Sequence, residues 1–392
     1  MTIDLDVAPA APDRRRAGRT RSGPFVVAAL VLALVAASAP PSYAAVLTPV
    51  LEGDGREITG SVLTATAIFT QHGGPGDESS DVWARPIDPG GPEWITKVSG
   101  PGTGLWLDRS GSVLVSESGD QGEKTFLDAR TGHTLWRTGQ YSSVRPVGAA
   151  VTDWVPPGLL RLRDVTTGRV LWSHPARAFT VDQQQRYVIV FDGRRRPTVL
   201  AAADGRVVAR SDRLDFEWSA DLPSPYVPVR PIGDSLVAVG PTAITAYRLT
   251  DLSPRWRTTI ARPAVVTGCG GRICAFSDDG LTVLDAVSGA ARWAGERWRS
   301  LAGDILTDDT GRAARVDLAT GRVRAELGRG DVLGDLQLIG AGGERTLVRR
   351  LTDGRVLGEA TRVAAGACTA AADLLACRTT DARFRVWRVG RA

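Results

Sequence analysis

The sequence predicts an all-β protein built as a β-propeller, in which four-stranded antiparallel sheets surround a central channel. Three observations predict this fold. A turn signature recurs with a period of about 37 residues, which is typical of propellers and solenoids. Segments with alternating apolar residues flank each turn, as they do in β-hairpins. No long segment with helical periodicity competes with this interpretation after residue 50.

The turn signature is an Asp, a Gly four residues later and a Trp four residues after that. Its clearest copies are residues 128–136, 164–172 and 285–293. The Gly supplies the positive φ that a tight turn needs. Regular placement of the Trp indicates packing between repeats rather than chemistry. Degraded copies centre on Gly90, Gly205, Leu252, Gly321 and Gly354, and the repeat tryptophans are Trp94, Trp136, Trp172, Trp256 and Trp293.

A second hairpin precedes each signature, as in residues 265–280, so each repeat contains four strands, called A to D in chain order. The turns from Gly132 to Gly354 define seven units, and segments 62–94 and 368–387 each resemble part of another. A last sheet that mixes strands from both termini hides the exposed sheet edges. We therefore expect eight blades, with seven as the alternative if one degraded unit is not a blade.

The signature resembles the tryptophan-docking repeat of the PQQ-like β-propeller family, which includes quinoprotein dehydrogenases and an outer-membrane assembly lipoprotein. The resemblance covers about residues 80–390 and implies the propeller fold. Departures from the repeat are visible in the weak copies. The Trp position holds Ala209, Ala325 and Gly358, and Leu252 replaces one Gly.

The resemblance does not extend to the cofactor. A quinoprotein of this family is expected to carry adjacent cysteines and a Glu, Asn and Asp set, but here no two cysteines are adjacent and the chain has no Asn. We expect no cofactor, no metal and no catalytic residue, and interpret the protein as a non-enzymatic interaction or envelope scaffold module. The alternative is a ligand- or ion-binding sensor, or a PQQ-type enzyme, with a site near Asp278 and Asp308 at the channel mouth.

The N-terminal residues predict export from the cytoplasm. Residues 1–23 form a basic tail, residues 24–45 form a hydrophobic helix, and residues 46–392 form the propeller domain. Basic residues before an apolar segment orient the tail inward, so the propeller is expected outside the cell membrane. The helix is interpreted as a transmembrane anchor, with a signal peptide cleaved near Ala44 as the alternative.

Cysteines and charge agree with that location. The pairs Cys269 with Cys274 and Cys368 with Cys377 bracket the turn between the first two strands of their repeats, which predicts two disulfides across hairpins. A zinc site is the alternative, but no histidines lie nearby. The formal net charge of +5 over 392 residues is too balanced for a nucleic-acid partner. The predominance of Arg over Lys indicates a high-GC, bacterial genome.

Loop placement gives a hypothesis for a recognition face. In a four-stranded meander the B–C and D–A loops emerge at one end of the ring, and carboxylates collect in the B–C loops. Such a face would bind a cationic protein, peptide or Ca²⁺. The alternative is that these residues simply favour turns. The predicted face comprises Asp77, Glu78, Asp81, Glu117, Asp120, Asp278, Asp279, Asp308 and Asp309.

The chain has three histidines. His133 and His174 lie beside repeat positions, and we interpret both as surface residues. His72 precedes a polar loop that contains Asp77 and Glu78, a mixture that suits a metal. A plain solvent-exposed loop is the favoured interpretation.

Overall fold

The computed structural model describes residues 47–74, 76–118, 122–212, 214, 227–342 and 344–390. These residues form 36 strands, paired into nine four-stranded antiparallel sheets, and contain no helix. The predicted all-β propeller is confirmed, but the predicted count of eight blades is wrong, because the ring has nine. No span suited to crossing a membrane as a helix occurs in these ranges. The predicted N-terminal helix is unsupported: its segment, 24–45, and the tail before it lie outside the described residues.

The first eight blades each consist of four consecutive strands, with strand A at the channel and strand D at the outer rim. Blade 1 contains β2 (Ile58–Leu63), β3 (Ala67–His72), β4 (Ser79–Pro86) and β5 (Trp94–Ser99). Blade 2 contains β6 (Gly102–Leu107), β7 (Val113–Ser118), β8 (Glu123–Asp128) and β9 (Thr134–Arg137). Blade 3 contains β10 (Ser143–Val147), β11 (Ala150–Val155), β12 (Leu159–Asp164) and β13 (Val170–Pro175).

The next three blades repeat the same meander. Blade 4 contains β14 (Ala178–Val181), β15 (Tyr187–Phe191), β16 (Pro197–Ala201) and β17 (Val207–Arg210). Blade 5 contains β18 (Val229–Ile232), β19 (Ser235–Val239), β20 (Ala243–Arg248) and β21 (Pro254–Thr259). Blade 6 contains β22 (Val265–Cys269), β23 (Arg272–Ser277), β24 (Gly280–Asp285) and β25 (Ala291–Gly295).

The last three blades include the one that closes the ring. Blade 7 contains β26 (Trp298–Ala302), β27 (Ile305–Asp308), β28 (Arg312–Val316) and β29 (Val323–Arg329). Blade 8 contains β30 (Asp331–Leu333), β31 (Leu336–Gly340), β32 (Arg345–Arg350) and β33 (Val356–Thr361). Blade 9 combines β34 (Val363–Ala371), β35 (Leu374–Thr379) and β36 (Arg383–Val389) with β1 (Leu47–Asp54).

The ninth blade explains the error in the count. Segments 62–94 and 368–387 were expected to share one sheet, but each belongs to a blade of its own. Residues 47–54 complete the last blade, where β1 pairs with β36 from Leu47 opposite Val389 to Asp54 opposite Arg383. The register of this pairing shifts after Pro49. This Pro interrupts the alternation by which a strand is recognised in sequence.

The hydrophobic core lies between neighbouring blades rather than at the ring centre. The cluster between blades 4 and 5 includes Ile189, Phe191 and Leu236, all fully buried. The cluster between blades 7 and 8 is much smaller, with Ile305, Ala313 and Leu351 as its buried members among the described residues. Each blade therefore depends on both neighbours to bury its faces.

Candidate functional site

The repeat tryptophans dock each blade onto the next. Trp136, at the rim of blade 2, donates its indole N–H to the carbonyl of Val165 in blade 3 at 2.8 Å. Its ring lies over Gly168, where an added Cβ would come within 2.6 Å of the indole. On the other side the ring stacks on Phe126, with centroids 3.7 Å apart. Only Gly at position 168 leaves room for this ring.

Four further seams between blades have the same geometry. In each, the indole donates to the carbonyl three residues before the Gly of the next blade, at 3.0 to 3.2 Å. An added Cβ on that Gly would meet the indole at 2.4 to 2.8 Å. These docked seams pair Trp94 with Gly132, Trp172 with Gly205, Trp256 with Gly289 and Trp293 with Gly321.

The Asp of the signature holds the turn together. Asp285 accepts hydrogen bonds from the backbone N–H groups of Val287 at 3.1 Å and Ser288 at 2.9 Å, and pairs with Arg292 at 2.6 Å. The hydrogen bond from Arg292, followed by those from Ser288, holds the pKa of Asp285 well below its usual range. These carboxylates therefore stabilise turns, and their lowered pKa has a structural cause.

Four seams lack a docked tryptophan. Between blades 4 and 5, Ala209 stands at the Trp position and the buried side chain of Leu252 replaces the Gly, with φ +57°. Between blades 7 and 8, Ala325 stands at the Trp position, and a Cβ added to Gly354 would meet no atom within 4 Å. Leu47 of β1 packs on Gly358 between blades 8 and 9. Between blades 9 and 1, Arg388 contacts both carboxylate oxygens of Asp88 at 2.7 and 2.9 Å.

Both predicted disulfides are present. Cys269 and Cys274 join β22 to β23, and Cys368 and Cys377 join β34 to β35. Each bond lies across the hairpin between strands A and B, in blades 6 and 9. Cys274 and Cys377 are buried in the cores beside their blades, which protects both bonds from solvent reductants.

The predicted acidic face is distributed over the end of the ring that carries the B–C and D–A loops, called the B–C end. Asp77, Glu78, Asp278, Asp279 and Asp309 lie in B–C loops. Asp308 ends β27, whereas Asp81 lies within β4 and Glu117 within β7. Asp120 lies outside the described residues. The side chain of Glu117 is held within blade 2. It accepts a hydrogen bond from the Trp106 indole N–H at 3.1 Å and forms an ion pair with Lys124 at 3.5 Å.

Arginines from the D–A loops lie among these carboxylates. Arg262 pairs with Asp278 at 3.4 Å, and both side chains are exposed. Asp308 accepts from the backbone and hydroxyl of Thr310, at 2.9 and 2.8 Å. Burial opposes ionisation of Asp308, but these bonds and one from Arg312 still lower its pKa. The B–C end is therefore mixed in charge, and an acidic recognition face stays a prediction.

His72 contacts its own blade. Its Nε2 lies 2.9 Å from the Thr70 hydroxyl, and its ring packs on Trp83 with centroids 4.9 Å apart. Desolvation lowers the pKa of this imidazole. Among the described residues, no group of three or more His, Cys, Asp or Glu side chains has the arrangement of a metal site. The loop after His72 therefore has the geometry of a surface loop.

Sequence reasoning missed two arginines on the channel wall. Arg145 on β10 and Arg230 on β18 are exposed, and both line one cavity of about 380 Å³ that faces blade 4. The signal was available, because each lies in a Val-Arg-Pro tripeptide, at 144–146 and 229–231. The repeat signature lies at the outer C–D turn and carries no information about the residues of strand A.

Residues 76–258 match the family model described as outer membrane protein assembly factor BamB. The resemblance to the PQQ-like repeat is confirmed over this range. The match begins in the B–C loop of blade 1 and ends in β21 of blade 5. It includes four of the five docked tryptophans, Trp94, Trp136, Trp172 and Trp256, and the cavity beside blade 4. No curated protein matches the sequence.

Solved structures with a similar shape are distant in sequence. BamB from Moraxella catarrhalis is 18% identical, with 87% of this chain and 97% of that chain covered and a TM-score of 0.47. Sqt1 from Saccharomyces cerevisiae is 9% identical, with 88% and 100% covered and a TM-score of 0.49. The computationally designed Ika8 protein is 13% identical, with 87% and 99% covered and a TM-score of 0.45. We draw no functional conclusion from these likenesses.

Proposed function

We propose that this protein is a non-catalytic propeller outside the cytoplasm that binds another protein or envelope component and serves as a scaffold. The observation that carries the proposal is the match of blades 1 to 5 to an assembly factor family. An assembly factor for outer membrane proteins is a family description that favours binding to other proteins over catalysis. A ring closed on itself presents loops at both ends from a rigid base, which suits such a role.

The location rests on the cysteines. Disulfides persist in oxidising compartments and are rare in the cytosol. All four cysteines of the chain are in the two disulfides. The apolar stretch at residues 25–39 behind five arginines supports export of the chain.

The B–C end is the surface we propose for partner contact. Carboxylates at Asp279 and Asp309 are exposed there, and arginines at positions 262, 297 and 362 lie in the neighbouring D–A loops. A partner whose surface carries both signs of charge fits this arrangement better than a purely cationic one.

Site-specific photo-crosslinking in the native host tests the proposal. A photoreactive amino acid is placed at Asp279 or Asp309 on the B–C end, at Ile95 on the outer rim, or at Gly271 on the opposite end. We expect one envelope protein to crosslink from Asp279 or Asp309 on the B–C end and not from Ile95 on the outer rim. The matched controls are the same variants without illumination.

Two outcomes would contradict the proposal. If purified protein retains a small molecule in native mass spectrometry and crosslinks to no protein, the sensor or enzyme alternative is favoured. If maleimide labels all four cysteines in intact cells before reduction, the thiols are free and the chain is in a reducing compartment.

A further inference from the structure

Two tripeptides place an arginine at the same point of the channel wall in blades 3 and 5. Val144-Arg145-Pro146 lies on β10 and Val229-Arg230-Pro231 lies on β18, and in each case the Arg is two residues before the end of strand A. The flanking apolar side chains, such as Val144 and Val229, are buried between blades. Both arginines are exposed and line the same cavity, so their side chains lie in solvent beside strand A of blade 4.

Blade 4 separates the two arginines and forms the floor of the cavity between them. The wall includes Phe179 and Thr180 of β14, and the turn at residues 182–186 follows. Gln185 fixes this turn to blade 3, because its side-chain oxygen accepts from the Gly148 N–H at 2.7 Å. The side chain of Gln183 lies near blade 6, because a Cβ added to Gly268 of that blade would be 3.3 Å from the Gln183 amide oxygen. The cavity, about 380 Å³, therefore spans blades 3 to 5 and combines an apolar floor with amide groups at its edge.

The charge of the cavity is positive and uncompensated. Within the part of the chain that the structure describes, neither the Arg145 nor the Arg230 guanidinium contacts a carboxylate. By contrast, Arg163 in the same blade as Arg145 pairs with the buried Asp153 at 2.7 Å. The described residues of the nine innermost strands carry three arginines and one aspartate: Arg145, Arg230, Arg299 and Asp331.

One carboxylate lines the cavity, and it is engaged in its own turn. Asp182 is buried and accepts from the Tyr187 N–H at 2.7 Å through one oxygen. Its other oxygen makes no hydrogen bond but lies 3.8 Å from Arg186, which offsets the charge. Among the described residues, the two channel arginines therefore have no carboxylate partner, and walls of low dielectric focus their field into the cavity.

We infer that this cavity binds an extended acidic segment of the partner protein, with one carboxylate on Arg145 and another on Arg230. The inference rests on the proposed function and gives the partner a second contact, because the A–B turn at residues 182–186 places the cavity toward the end opposite the B–C end. Guanidinium groups bind carboxylates through paired N–H bonds, while the floor formed by Phe179 and Val229 accepts an apolar side chain between them. A volume of this size is at the lower end of the range for small-molecule sites, so it admits a few side chains of such a segment.

Peptide binding to the full-length protein tests the inference. The probe is a fluorescent peptide that alternates Asp or Glu with Leu, and its matched control replaces every acid by the amide. We expect anisotropy to show binding of the acidic peptide alone, with the affinity falling as salt rises from 50 to 200 mM, as ordinary screening implies. Arg145→Gln and Arg230→Gln should each weaken binding by about tenfold, as expected when a charge-assisted hydrogen bond is lost, and the double variant should abolish it.

Arg355→Gln is the control variant, because Arg355 is exposed on the outer C–D turn of blade 8, away from the cavity. Its affinity for the acidic peptide should equal that of the unmodified protein. Equal binding of both peptides, or full binding by the double variant, would overturn the inference. Inorganic phosphate that binds while the peptide does not would also overturn it, by showing a site for small anions.

The inference and the proposed function fail in different ways. If the double variant still crosslinks to the envelope partner, the acidic segment is wrong and the scaffold role stands. If no protein partner crosslinks from any surface, the proposed function fails regardless of the peptide result.

Discussion

Two seams have turns of the same conformation but differ in the side chain that covers the turn. One lies between blades 2 and 3, and the other lies between blades 7 and 8. Gly168 and Gly354 have φ of +67° and +71°, so their backbones are alike. A Cβ added to Gly168 would meet the Trp136 indole at 2.6 Å, whereas one added to Gly354 would meet no atom within 4 Å. The backbone of the turn therefore forms with or without the ring, and docking is a separate contribution to stability.

The seam between blades 4 and 5 shows why the Gly is there. Leu252 occupies the equivalent position with φ +57°, so the turn itself tolerates a larger residue. Its side chain is buried in the cluster that contains Ala209, in the place that a tryptophan takes elsewhere. The Gly of a docked seam is therefore required for space above the turn as much as for its backbone conformation.

Removal of a docked ring should have the largest effect. We expect Trp136→Ala to lower the free energy of unfolding by about 3 to 5 kcal/mol, because it deletes a stacked ring and leaves a cavity. Urea denaturation of the purified protein measures this. Ile95→Ala, at an exposed rim residue, is the control and should change stability by less than about 0.5 kcal/mol. Equal losses in both variants would show that docking does not hold the blades together.

The seam filled by Leu252 should be convertible into a docked one. Ala209→Trp alone should cost about 1 to 3 kcal/mol, because the new ring overlaps the Leu252 side chain. Adding Leu252→Gly should recover much of that loss, although Leu252→Gly alone is also destabilising. Thermal melts of the unmodified protein, the two single variants and the double variant form a double-mutant cycle. Additive losses would contradict the idea that the two positions share one space.

Substitution of the two matched glycines separates space from backbone strain. Gly168→Ala and Gly354→Ala carry the same strain at positive φ, but only the first places a Cβ 2.6 Å from an indole. We expect Gly168→Ala to be the more destabilising by about 1 to 3 kcal/mol, which is typical of overpacking. Chemical denaturation of both variants decides this, and equal losses would mean that strain accounts for the whole effect.

Protonation of the turn aspartates at low pH should have the smallest effect on stability. Because the folded pKa of Asp285 is depressed, its ionisation stabilises the folded state above the unfolded pKa, and that stability is lost as the pH falls below about 4. Asp285→Asn should flatten the dependence of the melting temperature on pH between 5 and 2.5. Asp353, at the undocked turn, also has a lowered pKa, chiefly through the Arg355 N–H, so Asp353→Asn should flatten it as well. A slope unchanged in both variants would contradict this account.

The repeat made most of the fold predictable. The Asp-Gly-Trp spacing located the C–D turns, and alternation located the strands on both sides, including the hairpins closed by Cys269 and Cys368. The blade count was wrong because β1 carries Pro49 and lies far from any signature. Periodicity identifies a strand from its neighbours in sequence, whereas β1 is defined by pairing with β36 at the other end of the chain.

The candidate sites were less predictable for a related reason. Asp278 lies in a B–C loop and Asp308 ends the strand before one, but their neighbours across the D–A loops, such as Arg262, follow from three-dimensional packing. Arg145 and Arg230 lie two blades apart and meet only around the cavity beside blade 4. The sequence pattern shows which residues repeat, but the three-dimensional fold of the ring determines which of these residues are close to one another.

The pairing of β1 with β36 has a consequence for how the chain is made. Strand β1 can pair only when β36 has been made, since Leu47 lies opposite Val389. The ring therefore stays open until almost the whole sequence has been synthesised. Contacts of such long sequence separation form slowly, and unpaired strand edges exposed meanwhile invite association between chains. Blade 9 is therefore completed only after β36 has been made, whereas each of the other eight blades consists of strands that are consecutive in sequence.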